Sequence, residues 1–199
     1  MSHRPSRRES ICEAALDLAA EGGNHAVTHQ AIDRRLSLAK GSTSYYFRTR
    51  AALVGAAVRR LTERSRAAFA EAYGAGAGVG GVSVEGAADL MADQIVLLLT
   101  GRRRDVLARY ALAVDAADDE ELRPALAGCL FSVEKATGLL EALGASDPDS
   151  AAHDLISLLE GLVFDSVYGS RSVLAGGSTP STQRFRVTIR LWLAALAES

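Results

Sequence analysis

Lys40, Gly41, Ser42, Thr43, Ser44, Tyr45 and Tyr46 carry the most distinctive run of side-chain chemistry in the chain. Five consecutive hydroxyls are an odd choice for a helix whose only task is to pack. Lys40 is one of two lysines, the other being Lys135, in a chain whose remaining cations are arginines. Gly41 lets the backbone approach a phosphate or a base edge with no Cβ between. Short hydroxyls and phenols suit phosphate contacts and close contacts to base edges. Arg48 and Arg50 follow directly. This chemistry is recognition of a polyanion rather than the making of a bond.

Catalytic and metal-binding readings find less support. His25 and His29 are four apart, but Thr28 begins a helix between them, so they do not share a helical face as metal ligands would. Both read as surface imidazoles, and no metal or cofactor is implied. His153-Asp154 has no Ser or Cys in a nucleophile context, and no Gly-rich phosphate motif follows a strand, because no strand is evident. Cys12 and Cys129 lie among apolar neighbours and read as small core residues; two cysteines cannot build a disulfide framework. Arg102, Arg103 and Arg104 stand at a helix start and read as a solvated corner.

The elements that must position these residues are helical throughout, with no sustained period-two alternation. Residues 6–21 place Ile11, Ala15, Leu18 and Ala19 on one face, and Gly22-Gly23 ends that helix. Thr28 caps a short helix to about residue 36. Ser37, Leu38 and Ala39 read as a turn, and a second short helix spans residues 40–47. Thr49 then caps a long helix through residue 73, with Val54, Val58, Leu61 and Phe69 inward. Residues 75–81 are too rich in glycine to hold a helix. Further helices are expected at 84–99, 102–117, 120–143, 149–168 and 181–198.

Composition bounds the rest. A chain of 199 residues with 48% hydrophobic and 23% charged residues is globular rather than disordered. The net charge of −2 conceals an asymmetry. Residues 1–66 carry 12 Lys+Arg against 6 Asp+Glu, a balance of +6, and the remainder 10 against 18, a balance of −8. A basic head on an acidic body is expected of a nucleic-acid-binding domain joined to a different kind of domain. The most apolar stretch, residues 155–167, contains Glu160 and Asp165 and falls short of a membrane span. No targeting segment is recognisable, so a soluble, cytoplasmic protein is expected. The last two long helices are apolar on two sides. Leu155, Leu158, Leu159 and Leu162 oppose Ile156, Val163 and Val167; Phe185, Ile189, Trp192, Leu193 and Leu196 oppose Val187, Leu191 and Ala195. One side is read as covered by a partner subunit.

From residue 11 to about residue 58 the chain resembles the tetracycline-repressor (TetR) family of bacterial transcription regulators. The likeness rests on Glu21-Gly22-Gly23 closing the first helix, Thr28 opening the second, Ala39-Lys40-Gly41 leading into Ser44-Tyr45-Tyr46-Phe47, and Arg48-Thr49-Arg50-Ala51-Ala52-Leu53 starting the fourth. The chain departs from the family at Ser37, where Gly is usual, at Leu36, where a small Ala is usual, and at Ala39 and Ser44.

The resemblance implies an all-α fold of about nine helices, with a three-helix helix-turn-helix DNA-binding domain (residues 1–50) and a helical effector-binding and dimerisation domain (51–199). It implies groove contacts from Lys40, Gly41, Ser44 and Tyr45, phosphate contacts from Thr28, Thr43, Tyr46 and Arg50, and a core seat for Phe47. Arg4, Arg7 and Arg8 stand either as an arm along the DNA or as a solvated terminus. The expected partners are a double-stranded DNA operator, a small-molecule effector and a second copy joined through the last two long helices. Tyr110, Asp115, Phe131, Phe164, Asp165, Tyr168 and Trp192 are candidates for the effector pocket. The competing class is a small-molecule-binding or catalytic helical protein with no DNA role.

Overall fold

Hydroxyls and carboxylates at the helix starts accept from first-turn amides, which is why the helices begin where they do. Ser6 and Glu9 form a reciprocal capping box ahead of α1 (Arg7–Gly22). Thr28 accepts from the Ala31 amide at 3.1 Å to open α2 (His29–Arg35). Thr49 accepts from Ala52 N–H at 3.1 Å at the head of α4 (Arg50–Gly74). Each such cap contributes about 1 kcal/mol. Between them lies α3 (Ser42–Tyr46), a single short helix. Ser83, Ser132 and Asp147 play the same part for α5 (Val84–Leu99), α8 (Val133–Leu143) and α9 (Pro148–Val167). The other helices are α6 (Arg103–Val114), α7 (Leu122–Ala127), the single turn α10 (Arg171–Leu174) and α11 (Thr182–Ala197).

The structure is a computed structural model and describes residues 6–74, 83–114, 116, 119–174 and 181–198. No strand occurs among the described residues, so the all-α expectation holds. The glycine-rich residues 75–81, Arg4 and Asp115 lie outside the described set. One expected helix is two. Residues 120–143 break after α7 at Gly128 and resume at Val133, where Ser132 caps α8.

Packing divides the chain into two compact units. The first comprises Met1–Ala77 and Arg104–Leu130. Its core joins Ile11, Ala15 and Leu16 of α1 to Ile32 of α2 and to Leu53, Val58 and Leu61 of α4, all fully buried. Those α4 side chains pack on α1, so the packing boundary does not fall at residue 50. The second unit comprises Gly78–Arg103 and Phe131–Ser199. There α5 lies against α9 and α11, and α8 against α9, around Ile95, Leu98, Leu140, Leu155, Val163, Ile189 and Leu193.

The last two long helices are two-sided, with a changed division of residues. On α11, Phe185, Ile189 and Leu193 face inward, whereas Val187, Leu191 and Trp192 are exposed. Trp192 therefore leaves the stripe expected from its spacing. On α9, Ser157, Gly161, Phe164 and Tyr168 form an exposed stripe. The Phe164 and Tyr168 rings lie 5.5 Å apart on it.

Between α2 and α3 the chain turns at Ser37, whose φ of 52° is left-handed and unfavourable for a residue with a Cβ. This is the position where the resembling family usually has glycine. Ser37→Gly is expected to raise the unfolding free energy by about 1 kcal/mol. Urea denaturation read by circular dichroism checks this, and an unchanged or lowered midpoint would contradict the strain.

Candidate nucleic-acid interface

A helix of five residues, α3, needs its ends satisfied by others. Its N-cap is Gly41, left-handed at φ 91° and without a side chain to offer. The acceptor comes from α2 instead. Asp33 Oδ2 accepts from the Gly41 amide at 2.8 Å, and Asp33 Oδ1 accepts from the Thr43 amide at 2.8 Å and the Thr43 hydroxyl at 2.7 Å. At the far end His29 Nε2 donates to the Phe47 carbonyl at 2.7 Å. His29 and Asp33 are one turn apart, so one face of α2 holds both ends of α3. Phe47 is buried beneath, with the Arg8 guanidinium 4.6 Å from its ring centroid.

With its ends held inside, α3 presents its remaining side chains outward. Tyr45 is 84% exposed and stands edge-on to the half-buried Tyr46. Lys40, Gly41 and Ser44 are exposed beside it, and Thr28 is exposed at the start of α2. Arg7, Arg34 and Arg48 are exposed on the same unit. Arg7 and Arg8 belong to the first turn of α1, so neither forms a free arm.

Of the residues expected at phosphates, Thr43 is turned inward, whereas Arg50 is exposed and also bonds carbonyls of its own unit. Thr43 is fully buried, its hydroxyl given to Asp33. Arg50 donates from Nη2 to the Asn24 carbonyl at 2.7 Å and to Asn24 Oδ1, and from Nε to the Val27 carbonyl at 3.3 Å. Both hold the interface in shape. His29 is likewise a structural donor rather than a surface imidazole. Neither His29 nor Asp33 stands out in the sequence; the only signal was their four-residue spacing on a helix packed against the turn.

A second polar cluster fixes α1 in this unit. Glu13 accepts from Arg60 Nε at 3.0 Å, from Arg64 Nη1 at 3.2 Å and from Arg104 Nη2. Arg104 also pairs with Asp17 at 3.2 Å and with the buried Asp105 at 3.2 Å. Arg102 is buried too, so two of the three consecutive arginines are not the solvated corner expected. Burial pushes the Glu13 carboxyl up, but hydrogen bonds from Arg104 and Arg60 and the charges of Arg64 and Arg104 outweigh it, leaving it below its ordinary value. Asp33 follows the same pattern: burial raises it, and the hydrogen bonds from Thr43 and Gly41 bring it lower than usual.

The candidate pocket residues are distributed over both units. Tyr110 and Phe131 are half-buried, with the Arg109 guanidinium 5.0 Å from the Tyr110 ring. Asp165 pairs with Arg171 at 3.3 Å. Phe164, Tyr168 and Trp192 lie on the exposed stripes of α9 and α11. A groove of about 480 Å³ in the first unit, between α4 and α7, is lined by none of them.

An all-helical chain with a helix-turn-helix whose second helix is held from behind and exposed in front defines a DNA-binding transcriptional regulator. Residues 11–57 match the family described as "Bacterial regulatory proteins, tetR family", and residues 82–197 match "Tetracyclin repressor-like, C-terminal domain". The chain belongs to the tetR family. Regulators of this family bind DNA and small-molecule effectors, typically as dimers, and are generally not enzymes. A TetR-family member from Streptomyces coelicolor A3 has a TM-score of 0.70 at 22% identity, covering 94% of this chain and 98% of its own. A transcriptional regulator from Rhodococcus sp. Rha1 reaches 0.76 at 19% identity, covering 97% of each. The multidrug binding protein EbrR complexed with imidazole reaches 0.63 at 24% identity, covering 95% of this chain and 96% of its own. No curated protein sequence matches the chain. Among the described residues, no helix is long and apolar enough to cross a membrane.

Because Asp33 and Glu13 are both depressed in the folded state, their contribution to stability is complete above the unfolded values. It is lost as pH falls through the lower folded values. Thermal midpoints are expected to owe no slope to these two groups between about pH 6 and pH 8, and to fall below about pH 4. Asp33→Asn should flatten part of that acid limb. An acid limb unchanged by Asp33→Asn would contradict its ionised role.

Proposed function

We propose that the protein is a homodimeric, ligand-responsive regulator, most simply a repressor, that binds a palindromic operator and is released by a small-molecule effector. The observation that carries this reading is the Tyr45 ring, 84% exposed on a helix fixed at both ends, with Lys40 and Ser44 exposed beside it. A residue that only packed would not be left in water there. Lys40, Gly41, Ser44 and Tyr45 contact base edges or the groove, and Thr28 and Tyr46 the phosphates. Arg50, exposed beside its bonds to Asn24 and Val27, also meets a phosphate, and Thr43 supports the helix from within.

The division of labour places DNA reading in residues 1–50 and effector binding and dimerisation in residues 51–199. Two copies join through the outward stripes of α9 and α11, where Phe164, Tyr168, Val187, Leu191 and Trp192 leave apolar surface uncovered in a single chain. A two-fold axis there would place the recognition helices about 34–36 Å apart, or a related spacing, on a palindrome. An effector then acts by favouring a conformer whose heads are wrongly spaced. EbrR is a multidrug binding protein, which supports a small organic effector. No reaction is assigned to the chain.

Selection from a random duplex library should enrich a palindrome. Tyr45→Ala should lose about tenfold or more in affinity for it, and Lys40→Ala a smaller factor with a salt slope reduced by about one. No enriched palindrome, or full binding by both variants, would overturn the DNA-reading role. In sedimentation, the parent is expected to be a dimer at micromolar concentration and Leu191→Glu a monomer; a monomeric parent would refute the proposed interface.

A further inference from the structure

We infer that Asp33, acting through Thr43, is a positioning residue that sets the register of the recognition helix and so the sequence specificity of the head. The inference rests on the DNA-reading role proposed above. Asp33 and Thr43 are both buried, so neither can touch DNA. Three donors nevertheless converge on one carboxylate: two backbone amides from the start of α3 and one hydroxyl from inside it.

The geometry explains why this contact selects a register. Four residues on α2 span about 6 Å, and five residues of α3 about 7.5 Å. Asp33 and His29, at the two ends of that span, hold Gly41 and Thr43 at one end of α3 and the Phe47 carbonyl at the other. A slip of one residue along a helix rotates every side chain by about 100°. Lys40, Ser44 and Tyr45 would then no longer face the same way. An apolar pair at positions 33 and 43 would fill the space without distinguishing those registers, since van der Waals contact is not directional. The Thr43 hydroxyl makes the pair directional, because its bond to Asp33 Oδ1 is satisfied in only one of them. Phosphate contacts tolerate small displacements, whereas base-edge hydrogen bonds do not. Loss of the pair should therefore damage discrimination more than total DNA affinity.

The test uses the full chain, an operator selected from a random duplex library and a scrambled duplex of equal length. Thr43→Val keeps the shape and removes the hydroxyl; Thr43→Ser keeps the hydroxyl and removes a methyl; Asp33→Asn removes the charge. The ratio of operator to scrambled affinity is expected to fall at least tenfold in Thr43→Val and in any folded Asp33→Asn, with scrambled binding and its salt slope unchanged. Thr43→Ser is expected to retain the parental ratio within about threefold. The inference is overturned if Thr43→Val keeps the parental ratio. It is also overturned if operator and scrambled binding fall together in proportion to the folded fraction measured by circular dichroism, the signature of a merely structural role. A parent that enriches no sequence overturns the DNA-reading role and the inference with it. A parent that selects an operator which Thr43→Val binds equally well overturns the inference alone.

Discussion

A helix of five residues has no stability of its own, and that constraint shapes everything around α3. Forming a first turn fixes about six dihedral angles for one hydrogen bond. The chain meets this by borrowing partners from elsewhere. α2 supplies an acceptor to one end and a donor to the other. Phe47 anchors the exit in the core. Arg50, the first residue of α4, fastens that helix back to the carbonyls of Asn24 and Val27. The recognition segment is thus placed as well as the helices behind it are placed, and no better.

The same economy applies to charge. The positive balance of residues 1–66 is not all presented to the outside. Arg35 is held by Glu21 and Asp17, Arg50 by backbone carbonyls, and Arg60 and Arg64 by Glu13. Such partly exposed pairs each contribute modestly. The convergence of Arg60, Arg64 and Arg104 on Glu13 joins α1, α4 and α6. What faces outward is a smaller set, Arg7, Arg34, Lys40 and Arg48 among them. Salt dependence of binding follows the phosphates neutralised rather than the formal charge of a segment.

Much of this was legible in the sequence because it is local. Thr28 and Thr49 cap the helices they precede, and Gly22-Gly23 stops α1, since a cap needs only its own next turn. The exposed Tyr45 was readable from the company it keeps. Thr43 is turned inward against expectation because a hydroxyl bonds protein and phosphate equally well, and only tertiary neighbours decide which. Asp33 was invisible for the same reason: its three donors lie eight and ten residues on. The break between α7 and α8 was missed because apolar spacing ran on across Gly128. Trp192 was assigned to the wrong side because one more residue on a helix already apolar on two faces fits either.

The membership of Arg104–Leu130 in the first unit has a practical side. Arg104 pairs with Glu13 and Asp17, and the buried Asp105 with Arg64, across some forty to ninety residues of chain. Leu122 of α7 lies 3.6 Å from where a Cβ on Gly55 of α4 would sit. The first packing unit is therefore discontinuous in the gene. Residues 1–77 cut out alone would keep every side chain that faces outward from α3 and lose part of what braces α1. Moving this packing unit intact is a graft of two segments, and a single join after α4 would leave Arg104 and α7 behind.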